Sequence, residues 1–416
     1  MSASTAAIAV RLLGALSIAA LGGCGSGSGS GSGANDADSA HWVATWYGAP
    51  FDAAKSVRNV TYRLMVHDAI AGKTVRLRFS NRYGTAPLKL SKVSIALPSA
   101  VLKLPPVDAA TVTPVLFNQS AEVVIPAGED ARSDPVAFDL PADSDIAVTF
   151  YVPDTVANVT SHTNALTTSW STGNGGGDAS DDAAGTAFTS LEPGWNFLTG
   201  LEVIAPQSTT TVVAFGDSIT DGGFEVPNFD TRWPDLLNDR IAGSDLAGLR
   251  SVVNAGISGN MITADRGGNA TQGQAAVTRM AWDVFDQPNV SHVIVYEGIN
   301  DVGENVQAPD ILAGVQTIID AAHRRGIKVV MATLTPCFGA ASPGNLKYTT
   351  NESQRYPVND WVRAGAGFDG VIDFDGVVSN GLMPELWLSD LTVDYLHPNP
   401  LGLMVMANAI PLDVLR

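Results

Sequence analysis

Thr211-Val-Val-Ala-Phe-Gly-Asp-Ser-Ile-Thr-Asp-Gly-Gly223 is the stretch from which the architecture can be read. Thr211–Phe215 is a short apolar run of the kind that fills a strand buried on both faces. It breaks at Gly216 into polar and small residues, and a helical pattern follows. Pro234 sits near the start of a segment in which Trp233, Leu236, Leu237 and Ile241 fall on one face. The alternation then continues. Ser251–Asn254 reads as a second strand, and Val277, Met280, Ala281, Val284 and Phe285 as one helical face. Val290–Tyr296 is a third strand. Ile311, Val315, Ile318, Ile319 and Ala322 form a helix face closed by Gly326. Ile327–Leu334 and Val371–Phe374 are further strands, and Leu401 to about Ile410 is a closing helix. Strand and helix in strict alternation predict an α/β domain over 207–416, a parallel sheet covered on both faces. Ligands of such sheets bind beyond the carboxyl ends of the strands.

Upstream the period changes from helical to two. Lys73-Thr-Val-Arg-Leu-Arg-Phe-Ser80 alternates apolar and polar residues before an Asn81-Arg-Tyr-Gly84 turn. Similar runs are Asn59–His67, Leu88–Leu97, Ala121–Pro126, Pro135–Leu140 and Ile146–Val152. No convincing helical period occurs, so residues 41–206 are expected to form an all-β, jelly-roll-like sandwich.

The chain opens differently again. Leu12–Leu21 is apolar apart from Ser17, follows Arg11, and is too short for the roughly 20 residues of a membrane span. It suits a secretory signal. Leu21-Gly-Gly-Cys24 resembles the lipobox of bacterial lipoproteins, which implies a signal peptide over 1–24, lipidation of Cys24 and a membrane anchor. The alternative is an ordinary signal peptide with a chance cysteine. Residues 25–40 are rich in Gly and Ser and read as a flexible tether. Gly25, where an Asp would signal retention, implies the outer membrane by the same resemblance. Of the two cysteines, Cys337 is then a free thiol.

The 416 residues are 45% hydrophobic, enough for real cores. The net charge of −18 repels phosphate backbones, so no nucleic-acid partner is expected. Two cysteines exclude a disulfide scaffold, and no His-Glu-x-x-His or paired-Cys spacing implies a metal. Gly173–Gly177 lacks the Lys of a phosphate loop.

Four segments stand where a sheet ligand should meet the protein: Gly216-Asp-Ser218, Asn254-Ala-Gly-Ile-Ser-Gly-Asn260, Glu297-Gly-Ile-Asn300-Asp301 and Asp394-Tyr-Leu-His397. Their chemistry suits acyl transfer, which needs a nucleophile, a base and donors for an oxyanion. Ser218 directly follows a strand. His397 carries an imidazole, which titrates near neutral pH, and Asp394, three residues upstream, can orient it in a turn. Each residue also has a plain structural reading. Ser218 could cap a helix, Gly256 permit a turn, Asn300 cap a loop and His397 sit in a surface turn. Asp217 and Asp301 read as structural carboxylates, and Trp233, Tyr395, Trp387 and Phe338 as core or rim packing. Of the other histidines, His67, His162 and His292 have no Asp at the matching offset. His41 and His323 do, in Asp38 and Asp320, but His41 opens the β-region and His323 sits near a helix end, away from the strand ends where a base is needed.

The four segments, in this order, resemble the blocks of the SGNH (GDSL-type) serine hydrolases, with Ile219 in place of the commoner Leu. The resemblance implies a flavodoxin-like hydrolase domain, a catalytic triad of Ser218, Asp394 and His397, an oxyanion hole formed by Ser218, Gly256 and Asn300, and no cofactor. His41-Trp-Val-Ala-Thr-Trp46, Arg232-Trp-Pro-Asp-Leu236 and the preceding β-region resemble two-domain bacterial esterases of the acetylxylan-esterase-like group. That implies a carbohydrate acyl ester, acetyl above all, as substrate, with the sandwich either shaping the cleft, binding glycan or merely packing. The alternatives are a lipid-directed esterase, such as a lysophospholipase or arylesterase, and a non-catalytic glycan-binding envelope lipoprotein.

Overall fold

Period-two alternation has its simplest consequence in Val136–Leu140, where Val136, Phe138 and Leu140 are buried and Ala137 and Asp139 exposed. This strand and Asp130–Arg132 pair with Gly72–Ser80, which pairs with Leu198–Ile204, which pairs with Trp42–Tyr47. The facing sheet runs Ser190–Glu192, Ser169–Ser171, Val60–His67, Asp145–Val152 and Leu88–Ala96, with two short strands at its far edge. All these pairings are antiparallel. Val75, Leu77 and Phe79 from one sheet meet Tyr62, Leu64 and Phe150 from the other in one core, where Phe79 and Phe150 pack edge to face at 5.2 Å. This is the expected β-sandwich, and it contains no α-helix among the described residues.

The computed structural model describes residues 41–99, 103–266, 272–340, 344–365 and 367–416. The leader, Cys24 and the tether expected within residues 1–40 lie outside the described residues.

The second half is the expected parallel α/β sheet. Its strands lie in the spatial order Arg250–Gly256, Thr210–Gly216, Val290–Tyr296, Lys328–Ala332, Gly370–Ile372. The first strand in sequence thus lies between the second and third, the flavodoxin-like order, and the connections diverge there to open a crevice at its carboxyl end. Trp233–Ala242 packs on Pro400–Ala409, and Ala276–Asp283 packs on Ala308–His323. The predicted face of Ala308–His323 is buried throughout. The Ala276–Asp283 helix departs from its prediction. Ala281 is exposed, and Arg279 and Asp283 are buried beside Met280. An ion pair of 2.7 Å between the two places charge inside, where apolar periodicity expects none.

The two halves share a core. Ala44, Tyr47, Ala49 and Phe51 of the first belong to the buried cluster that covers the parallel sheet. Ala44 N–H donates to Thr211 Oγ1 at 3.0 Å, and Ser251 Oγ donates to the Ala44 carbonyl at 2.7 Å. Residues 41–416 accordingly form one compact unit.

Candidate active site

The Thr210–Gly216 strand ends under a one-turn helix, Ser218–Asp221. Asp217 caps that helix, accepting from Ile219 N–H at 3.0 Å, and is a structural carboxylate as read from the sequence. Gly216 is required because a Cβ there would stand 2.2 Å from Thr220 Oγ1 and 2.3 Å from the Tyr296 carbonyl. Ser218 occupies the first helical position, where a backbone N–H has no intrahelical acceptor.

At the other end of the domain, Thr392 and Pro398 close a loop by an isolated bridge. Asp394 Oδ1 accepts from the backbone N–H groups of Leu396 and His397, at 3.1 and 2.8 Å. Its Oδ2 accepts from His397 Nδ1 at 3.0 Å. Ser218 Oγ lies 3.0 Å from His397 Nε2. The three side chains expected to act together are therefore one hydrogen-bonded chain. Burial pushes the Asp394 carboxyl up, but the His397 ring and the two backbone N–H groups outweigh it and hold Asp394 below its ordinary range. Ionised Asp394 fixes the proton on Nδ1, so Nε2 presents a lone pair to the Ser218 hydroxyl.

Asn300 is buried, and its amide orientation is set from one side. Oδ1 accepts from Tyr348 OH at 2.6 Å and from Arg266 Nη1 at 2.9 Å. Nδ2 gives one hydrogen to the Asn260 carbonyl at 2.8 Å, leaving the second N–H available.

Gly256 does not fit the donor role that the resemblance implied. It pairs with Gly216 inside the sheet, and its N–H is taken by Asn254 Oδ1 at 2.8 Å. It is glycine for a packing reason: a Cβ would stand 2.3 Å from the Asp221 nitrogen, inside the Ser218–Asp221 helix. Gly259, three residues on, has φ +83°, and its carbonyl accepts from the same Arg266 Nη1 that holds Asn300. Its N–H meets no acceptor among the described residues. Sequence reading passed over Gly259 because a glycine that spares a side chain and one that offers an N–H look alike.

Beneath the site lies a buried charged cluster. Arg279 donates to the carbonyls of Gly216 and Ala255, both at 2.8 Å, to Asn260 Oδ1 at 2.7 Å and to Asp283 Oδ2 at 2.7 Å. It also lies 3.3 Å from Glu297 Oε2. Burial, joined by the nearby Asp217 carboxyl, pushes the Glu297 carboxyl well up, against the pull of Arg279. Burial likewise pushes Asp217 up to about 7, against the Ile219 N–H bond and the attraction of His397. Asp301 accepts from Ile262 N–H and from Thr263 N–H and Oγ1, holding the loop beside Asn300.

The cluster of His67, Asp145 and Asp230, whose donor atoms stand close enough for a metal, already surrounds the Lys103 ammonium, which is 2.7 Å from Asp230 and 3.1 Å from Asp145.

Residues 214–403 match the family model of the GDSL-like Lipase/Acylhydrolase family. No curated protein matches the chain. Similar solved structures include the native aryl esterase of M. smegmatis, at 17% identity over 48% of this chain and 96% of that one, with a TM-score of 0.40. The acetyl xylan esterase AlAXEase is 21% identical over 48% of this chain and 96% of its own, with a TM-score of 0.35. A carbohydrate acetylesterase family member from Sinorhizobium meliloti is 15% identical over 48% and 95%, with a TM-score of 0.36. Residues 214–403 are a GDSL-like lipase/acylhydrolase domain of the SGNH type, and the protein is a carboxylic ester hydrolase.

Proposed function

We propose that this hydrolase is a serine esterase that removes acyl groups, acetyl above all, from carbohydrates. The carrying observation is the hydrogen-bonded chain from Ser218 Oγ through His397 to Asp394. Ser218 attacks the ester carbonyl as His397 Nε2 takes its proton, and Asp394 balances the imidazolium. The oxyanion is met by the Ser218 and Gly259 N–H groups and by Asn300 Nδ2, with Gly259 in the place first given to Gly256. The proton on His397 passes to the leaving alcohol, which leaves an acyl-enzyme. A water activated by His397 then releases the acid and frees Ser218.

Support for a sugar alcohol comes from Phe224. Its ring is 42% exposed and its centroid is 5.1 Å from that of His397, where the leaving group must depart. An open aromatic face there can stack on a pyranose ring. Support for the lipid-directed reading comes from Leu346 and Val393, exposed apolar residues that adjoin Asn345 and Asp394 in the chain. The experiment that separates the two is a hydrolysis profile across p-nitrophenyl esters of rising acyl length and acetylated xylo-oligosaccharides. Highest kcat/KM on acetyl esters and acetylated sugars supports the carbohydrate reading. A maximum at about eight carbons or beyond, where burial of a long acyl chain dominates binding, overturns it.

We further propose that the chain is exported and anchored through an acylated Cys24, on the strength of the Leu21–Cys24 pattern and the tether behind it. Cys24→Ala should move the protein from the membrane to the soluble fraction. Unchanged fractionation would remove the anchor from the account.

A further inference from the structure

We infer that the β-sandwich is a working part of the hydrolase site, because its His162 positions the nucleophile helix and the Gly259 loop through Asp221. This rests on the proposed roles of Ser218 and Gly259.

The Ser218–Asp221 helix has a single turn. So short a helix cannot hold its own geometry, since nucleation costs more than one turn of hydrogen bonds returns. Its placement must come from contacts outside it. Asp221, its last residue, is buried and reaches two other segments with one carboxylate. Oδ1 is 3.0 Å from His162 Nε2. Oδ2 accepts from Ser258 N–H at 3.0 Å and from Ser258 Oγ at 2.6 Å. Ser258 immediately precedes Gly259. One side chain thus ties together the sandwich, the helix that carries the nucleophile and the loop that carries an oxyanion donor.

His162 is itself fixed on every side. It ends the short strand Thr160–His162 of the sandwich half and is 4% exposed. Its Nδ1 donates to the Ala49 carbonyl at 2.9 Å. The rings of Phe51 and Trp195 flank it, with centroids at 5.7 and 5.4 Å. The imidazole cannot swing away without leaving Asp221 as a buried carboxylate short of a partner. Nor can the helix shift to compensate, because the Asp221 backbone sits directly on Gly256.

A second tie from the same half follows the same logic. Tyr47 OH donates to Asp283 Oδ1 at 2.6 Å, and Asp283 holds Arg279, which holds the Gly216 carbonyl. The sandwich therefore reaches the strand end from below and the nucleophile helix from the side. A displacement of about 1 Å at reacting groups costs on the order of 100-fold in rate, so loss of such a tie should be read in kcat before KM.

The test measures kcat and KM on p-nitrophenyl acetate for His162→Ala, His162→Gln and Ser258→Ala, each normalised to active sites titrated with a fluorophosphonate, alongside thermal unfolding. Positioning predicts that His162→Ala lowers kcat per titrated site by about 10- to 100-fold with KM within about threefold. His162→Gln, which keeps an N–H for Asp221, should recover part of the loss. Ser258→Ala removes only a hydroxyl and keeps the ties readable if the alanine variant at 162 does not fold; about a three- to tenfold loss of kcat is expected. Lower melting temperatures with kcat per site unchanged in the folded variants would overturn the inference and reduce His162 to packing. Ser218→Ala, run in parallel, separates the two claims. If it stays active, the serine reading falls and the inference with it. If it is inactive while the His162 and Ser258 variants keep full kcat, only the inference falls.

Discussion

Arg279 donates a hydrogen bond of 2.8 Å to the carbonyl of Gly216, so a fully buried guanidinium fixes the strand end two residues before the proposed nucleophile. The same group closes the charge of Asp283 and lies against Glu297. Removing it would strand these carboxyl groups away from water. Arg279→Met should therefore cost about 3–5 kcal/mol of stability, the range for breaking one side of a buried ion pair. Urea unfolding of the purified variant reads this directly, and a loss below about 1 kcal/mol would show that the cluster does not hold the site.

Asn300 offers the oxyanion one side-chain N–H, with its other hydrogen and its oxygen already committed. Asn300→Ala should lower kcat by about 10²- to 10³-fold and leave KM nearly unchanged, because the donor serves the transition state more than the ester. A variant with raised KM and intact kcat would instead make Asn300 a ground-state binding group.

Asp217 carries a pH signature. Its carboxyl is pushed up to about 7 by burial, with Asp301 adding to the shift. From about pH 4 to about pH 7 the unfolded chain has released this proton and the native chain still holds it, so the stability contribution of Asp217 falls as pH rises. Asp217→Asn keeps an oxygen for Ile219 N–H and removes the proton. The unfolding free energy of the variant minus that of the wild type should grow across this window and level off above it. Denaturant titrations at several pH values check the slope, and a difference independent of pH would place Asp217 at an ordinary carboxylate value.

Phe224 is expected to act on binding. Phe224→Ala should raise KM for acetylated xylo-oligosaccharides by about three- to tenfold, the equivalent of roughly 1 kcal/mol for a stacked ring, with kcat little changed. Unaltered KM on sugar esters would remove the ring from substrate recognition.

Much of this architecture was legible in residue order. Alternation in Lys73–Ser80 and Pro135–Leu140 gave strands of the sandwich, and the face from Ile311 to Ala322 gave a buried helix, because one apolar side decides each element. Ser218, Asn300, Asp394 and His397 stood out because strand ends in a parallel sheet are where side chains can converge. What stayed hidden depends on contacts between distant segments. Arg279 sits on the face where an apolar helix pattern allows no charge, and it is explained by Asp283, Glu297, Asn260 and the strand-end carbonyls. His162 is 59 positions from Asp221 and belongs to the other half of the molecule. Gly256 and Gly259 differ in role because Asn254 folds back onto the first N–H, which residue identity alone does not disclose.

The most direct measurement is the site of covalent modification. A fluorophosphonate should label the wild-type chain once, on Ser218, as read by peptide mass, and abolish hydrolysis of p-nitrophenyl acetate in proportion. Ser218→Ala should take no label and lose at least about 10³-fold in kcat. A label on another residue, or a Ser218→Ala variant that hydrolyses the ester at the wild-type rate, would contradict the account.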